Sequence, residues 1–208
     1  FVYASNSMPA RMPEEQEYWN ADGRKMVWTQ IALNGTDQLR QRAAWALAQI
    51  FVISKERVGM DSYSEAWLAY YDALVRHAFG NYRELLRELT YNPMLGIYLA
   101  HRESRSHLSM GSTAGKYPSE FFARELLQLF TVGLHTLDAD GTTPAHSPPA
   151  FTVDDVADVA KALTGFREQS HRTNIESHSS SLNRIDPLRI DLARRDLFPK
   201  RGLDGAYL

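Results

Sequence analysis

The chain has 208 residues, 44% hydrophobic and 23% charged, with a formal net charge of -2 and no cysteine. That length is enough to bury a core for one domain, or one domain with an appendage. The charge balance lacks the basic excess that marks nucleic-acid or anionic-lipid partners, and the missing thiols exclude disulfides and thiolate metal sites.

No apolar run approaches the roughly 20 residues that a bilayer span requires. Local basic clusters such as "LARRDLFPKRG" are broken by acids and read as solvated surface. The chain opens on Phe1 and stops on "LDGAYL", which suggests an internal piece of a longer or processed protein. Missing targeting signals therefore carry little weight.

"FVYASNSMPARMPEEQEYWN" has two prolines and little periodicity, and is expected to be irregular until roughly residue 13. A short helix is predicted from Pro13, with acids in its first turn where the helix dipole favours them. A second apolar segment follows in "RKMVWTQIAL", and "NGT" then breaks the chain. In "TDQLRQRAAWALAQIFVIS", Leu39, Ala43, Leu47, Ile50 and Phe51 recur at helical spacing, with Thr36 or Asp37 as the cap. The alanines of that helix would let a neighbour approach closely.

"SEAWLAYYDALVRHAF" reads as a helix stopped by Gly80, and "NYRELLRELTYN" as one that halts before Pro93. "PMLGIYLAH" is a short helix with proline near its first turn, and residues 101–116 are a polar loop. Apolar residues wrap most of the way round a predicted helix from Pro118 to about Thr131, the signature of burial. His135 to Pro149 reads as a loop or short hairpin. Thr152 and Asp155 have capping-box spacing at the head of "FTVDDVADVAKALTGF", which Gly165 ends. The expected fold is all-α, an irregular multi-helix bundle with long loops, and a fragment of a larger protein. Its helical domain would span residues 1–166, with a polar extension over 167–208.

The chemistry-bearing residues have two readings each. Glu120 and Arg124 lie four apart in the favourable order, and Glu125 points about one helical step away. If they are buried they must pair, because an orphaned buried charge costs several kcal/mol. They read either as a structural clamp or as a catalytic or ligand site with a general acid or base and an anion-binding arginine.

The chain holds seven histidines. His101, His107, His171 and His178 show no zinc-helix spacing, so no metal is expected. His77 closes a helix, where a cationic imidazole suits the C-terminal dipole. "DADG" begins like a calcium loop, but Thr143 and Pro149 stand where glycine and glutamate are needed, so a turn is the better reading. Asn34 opens a glycosylation sequon if the chain is exported, making a glycan possible there. Trp19, Trp28, Trp45 and Trp67 would serve as core or as a sugar-binding platform. Nothing in the sequence calls for a cofactor.

Three stretches, "LRQRAAWALAQIFVIS", "YYDALVRHAFGNYRELLRELTYNPMLGIYL" and "PSEFFARELLQLFTVGLHTLDADG", precede "FTVDDVADVAKALTGF" at natural distances. Together they resemble domain of unknown function 1800, over roughly residues 37 to 166. The resemblance implies export, often by the twin-arginine route, and in bacteria the company of an uncharacterised sulfatase-like protein. It implies no activity. Where that family's helix usually begins Asp-Glu-Asn-aromatic-Ala-Arg-Glu, this chain has Ser119 and Phe121 at the first and third places. Glu120, Arg124 and Glu125 match, and Phe166 stands where tryptophan is usual.

These readings lead to a non-catalytic scaffold or interaction domain of an exported, cell-surface or extracellular assembly, with other protein subunits as partners. An exported hydrolase acting on a polymer through Glu120, Arg124 and Glu125, and a carbohydrate-binding module, are the alternatives.

Overall fold

The computed structural model describes residues 13–59, 63–110, 117–170 and 183–207, with side chains from Gly23 onward apart from Arg24. The chain forms two compact units, Phe1–Leu86 and Arg87–Leu208. The described residues are mostly helical, with one two-stranded ribbon.

In the first unit, α1 (Pro13–Asn34) is one continuous helix of 22 residues rather than two segments. Helix α2 (Gln38–Ile50) is followed by a single turn, α3 (Lys55–Val58), and by α4 (Ser64–Arg76). Helices α1, α2 and α4 pack on one another. Ala66, Tyr70, Ala73 and Leu74 line up as the buried stripe of α4, and Ala44 is the buried small residue of α2. The absence of bulk at Ala44, Ala66 and Ala73 permits the close approach that ridge-and-groove packing requires. Where α2 ends at Phe51, the Tyr70 hydroxyl donates to the Phe51 carbonyl at 2.7 Å, pinning the chain reversal to the core.

The helix predicted at α2 forms, but its buried face differs from the one predicted. Leu39 and Ile50 are exposed and Ala43 and Leu47 half-buried, whereas Gln41 and Ala44 are buried; of the predicted stripe, Phe51 is buried as expected. Polar ties hold this rotation. Arg40 Nη1 donates to the Val75 carbonyl at 3.0 Å, with its guanidinium 5.2 Å from the Phe79 ring centroid. Asp37 occupies the N-cap position without a side-chain cap bond; its carboxylate accepts from Gln41 Nε2 at 3.2 Å instead.

Helix α5 (Tyr82–Thr90) contains the boundary between the units. In the second unit, α6 (Pro93–Tyr98) starts on Asn92, whose side chain accepts from the Met94 amide at 2.9 Å. The helix predicted over Pro118–Thr131 is shorter and changes type. Helix α7 (Phe121–Glu125) runs directly into a π-helical turn, Leu126–Phe130. The wider turn shifts the phase of the side chains. Phe122, Ala123, Leu127 and Phe130 are buried, while Phe121, Leu129 and Val132 are exposed, so the element lies at the surface on one side rather than being enclosed all round.

Helix α8 (Val153–Ala162) carries the predicted capping box, with the Thr152 amide donating to Asp155 at 2.7 Å and the Asp155 amide to the Thr152 hydroxyl at 3.2 Å. Helices α7 and α8 pack together.

After α8 the chain turns at Gly165 into β1 (Phe166–Arg167), which pairs antiparallel with β2 (Arg189–Ile190). Gly165 has φ +85°, and a Cβ there would lie 2.9 Å from the Asp191 carbonyl oxygen, so only glycine fits. The stretch after Arg167, expected to be a polar extension, supplies β2, the buried Leu188 and the buried Asn183.

Candidate functional site

Glu120 and Arg124 pair as their spacing dictates, with Arg124 Nη2 3.2 Å from Glu120 Oε2. The side chains are 41% and 46% exposed, so the pair lies on the surface side of its helix. Glu125 is half-buried and makes no hydrogen bond or ion pair among the described residues.

The buried charge in this unit lies elsewhere. Glu168, with a side chain only 6% exposed, receives Arg102 Nη1 at 3.1 Å and Arg184 Nη1 at 2.5 Å. Asn183 positions Arg184 from the neighbouring place. Its Oδ1 accepts the amides of Ile185 and Asp186, and its Nδ2 donates to Asp186 Oδ2 at 2.6 Å. A second cluster joins Glu103 to Arg167 at 3.2 Å and to Arg194, and Asp191 to Arg167 at 3.1 Å. Hydrogen bonds to Glu103 and then to Asp191 hold Arg167 above the usual arginine range. Sequence reasoning missed both clusters, because their members are far apart in the chain.

His101 is fully enclosed rather than a loop residue open to a metal. Its ring stacks on Phe122 at 4.3 Å and meets Phe166 edge-on at 5.5 Å. Nε2 lies 2.9 Å from the Thr90 carbonyl, which can only accept, so Nε2 carries the proton and Nδ1 is left without a partner. Burial pushes its pKa down to about 4, against a smaller opposing contribution from the Thr90 hydrogen bond.

The backbone on either side is strained. Ala100 and Glu103 have φ values of 58° and 62°, a region that residues with a Cβ seldom occupy. The loop is laced to the ribbon by the Glu103 amide on the Phe166 carbonyl at 2.8 Å and the Gly165 amide on the Ser104 carbonyl at 2.9 Å.

Against this loop opens a cleft of about 430 Å³, whose walls include Arg102, Glu103, Ser104, Arg105, Tyr117 and Ser119. Glu120, Arg124 and Glu125 do not line it, although Ser119 does. The Ser119 amide donates to Ser104 Oγ at 3.1 Å, joining the two sides of the cleft.

The remaining sequence candidates are placed as follows. His77 is the C-cap residue of α4. His107 stacks on Tyr117 at 5.5 Å. His171 and His178 lie outside the described residues. No group of three or more His, Asp or Glu able to hold a metal occurs among the described residues. In "DADG", Asp140 accepts from the Thr142 amide at 2.9 Å and its hydroxyl at 2.7 Å, an ordinary turn. Asn34 is the exposed last residue of α1.

Trp28 and Trp45 are exposed and, with Tyr71, border a shallow depression in the first unit; Trp67 is half-buried, and the Trp19 side chain lies outside those described. No helix among the described residues is long and apolar enough to cross a membrane.

The fold and cleft define a mostly helical protein in which a strained, arginine-bearing loop is laced to a minimal β-ribbon. The chain belongs to the family described as protein of unknown function DUF1800, whose model matches residues 4–204. That match extends beyond both ends of the stretch in which the motifs resemble the family. No curated protein and no solved structure matches the chain.

Proposed function

We propose that the chain is a non-catalytic interaction domain of an exported protein, working within a cell-surface or extracellular assembly with other protein subunits. The apolar surface of α1 and α2 carries this reading. Met26, Trp28, Ile31 and Leu33 on α1, and Leu39, Trp45 and Ile50 on α2, are all exposed large side chains in one unit. Apolar exposure on that scale is characteristic of a surface that is covered in an assembly. Export rests on the family, as stated for the sequence.

The hydrolase alternative has less support. Glu120 and Glu125 stand off the cleft, and Glu103, the acid on its wall, is engaged by Arg167 and Arg194. A general acid or base needs a free carboxyl within reach of the reacting bond. The exposed indoles of Trp28 and Trp45 favour a second reading, sugar stacking on an aromatic platform.

Light scattering on size-exclusion fractions tests the proposal, with the purified chain alone and mixed with its source's exported proteins. A stoichiometric complex is expected, lost in Ile31→Glu and Leu39→Glu at unchanged melting temperature. A chain that stays monomeric in both settings, or a complex that survives both substitutions, rejects it. Quenching of indole fluorescence by oligosaccharides, abolished in Trp45→Ala, would select the sugar reading instead.

A further inference from the structure

We propose that the cleft against the Ala100–Arg105 loop binds an anionic group, a carboxylate, sulfate or phosphate, carried on a molecule about the size of a monosaccharide. This site lies in the unit Arg87–Leu208 and does not depend on the interaction surface of α1 and α2.

Charge is the first argument. On the wall of the cleft, Arg102 is paired with the buried carboxylate of Glu168. Arg105 adds a further cation on the wall. It is exposed and makes no hydrogen bond or ion pair among the described residues. Two arginines against one carboxylate on the wall make a local positive excess in a chain of net charge -2. The carboxylate on the wall does not cancel it, because Glu103 is already held by Arg167 and Arg194.

Preorganisation is the second. Glu168 holds Nη1 of Arg102, so the guanidinium is fixed at the cleft rather than free to collapse onto another acid. Its Nε is enclosed and without a partner among the described residues, which shows that the position is imposed by the loop and not chosen by the side chain. The left-handed backbone at Ala100 and Glu103 imposes it. Strain of this kind concentrates at binding and catalytic places. A fixed, planar guanidinium beside an exposed, unengaged one on the same wall suits a two-oxygen anion.

Shape is the third. A volume of about 430 Å³ falls within the range of small-molecule sites. Ser104 Oγ accepts from the Ser119 amide and keeps its own proton to donate, and the exposed Tyr117 ring offers a flat face at the rim.

Isothermal titration of the full chain with sodium sulfate, sodium phosphate, sodium glucuronate and glucose tests this. Saturable one-to-one binding is expected for at least one of the three anions, with glucose silent and affinity falling as sodium chloride rises. Arg105→Gln should weaken that binding by about tenfold or more at unchanged melting temperature, since a charge-assisted hydrogen bond is lost. Arg102→Lys, which keeps the charge but loses the fork, should weaken it as well. Tighter binding of glucuronate than of sulfate or phosphate identifies a sugar acid as the source of the anion; the reverse order identifies an oxyanion ester. Absence of saturable binding for all three anions overturns the proposal, as does binding that Arg105→Gln leaves unchanged or that glucose reproduces.

Discussion

Arg184 meets Glu168 at 2.5 Å with both side chains nearly enclosed, 9% and 6% exposed, and Arg102 approaches the same carboxylate oxygen from a more open side. One buried anion thus joins the loop after α6 to the segment beyond β1. Removing the anion takes the shared carboxylate away from two guanidinium groups in an enclosed setting. Glu168→Gln is therefore expected to lower the unfolding free energy by about 3 kcal/mol, in line with broken buried pairs. Urea denaturation followed by circular dichroism measures it, and a loss below about 1 kcal/mol would contradict the assignment.

Arg124→Ala provides the contrast. Its pair with Glu120 is formed but exposed on both sides, and solvent screens it. A cost of about 0.5 kcal/mol or less is expected in the same denaturation experiment. A loss comparable to that of Glu168→Gln would contradict the exposed position of the pair.

His101 makes stability depend on pH in a defined direction. Its folded-state pKa is about 4, below the ordinary 6.5, so between those values the unfolded chain binds a proton that the folded chain refuses. Stability from this group is fully present above pH 6.5 and is lost as the pH falls toward 4, by roughly 3 kcal/mol in total. His101→Phe, which keeps a ring against Phe122 and has no titrating group, should flatten that part of the curve. A melting temperature equally pH-dependent in both proteins between pH 6.5 and 4 would rule His101 out as the source.

The capping box of α8 gives a local prediction. Thr152→Ala removes the hydroxyl that accepts the Asp155 amide and should cost about 1 kcal/mol. The chain at this cap is exposed, so little packing is lost with the methyl group. Thr152→Ser, which restores the hydroxyl, should recover most of the difference; failure to recover it would assign the effect to packing.

Helix positions were legible wherever the signal is local. Asn92 with Pro93 marks the start of α6, and Thr152 with Asp155 that of α8, because caps act through neighbouring backbone groups. Faces were less legible. In α2 the spacing of Leu39, Ala43, Leu47, Ile50 and Phe51 singled out a stripe; Phe51 is buried as expected, yet Arg40 reaching Val75 and Gln41 meeting Asp37 accompany a rotation that exposes Leu39 and Ile50. In α7 the π-turn after Glu125 moved Leu129 outward, and nothing in the periodicity of "LLQLF" distinguishes five residues per closed turn from four.

The sequence by itself determined the helical class, the helix-forming stretches and the family, since these depend on propensity, capping and motif order along the chain. It also determined that Glu120 and Arg124 would meet, because four residues of helix bring them within reach. Only the tertiary structure decided which charges are buried. Glu168 and Arg184 are separated by a stretch whose sequence gives no register, and His101 looked like one polar residue of a polar loop until Phe122 and Phe166 closed over it. Burial is a property of what lies across the fold from a residue, and the cleft beside Arg102 and Arg105 opens where the loop after α6 folds back toward Tyr117 and Ser119.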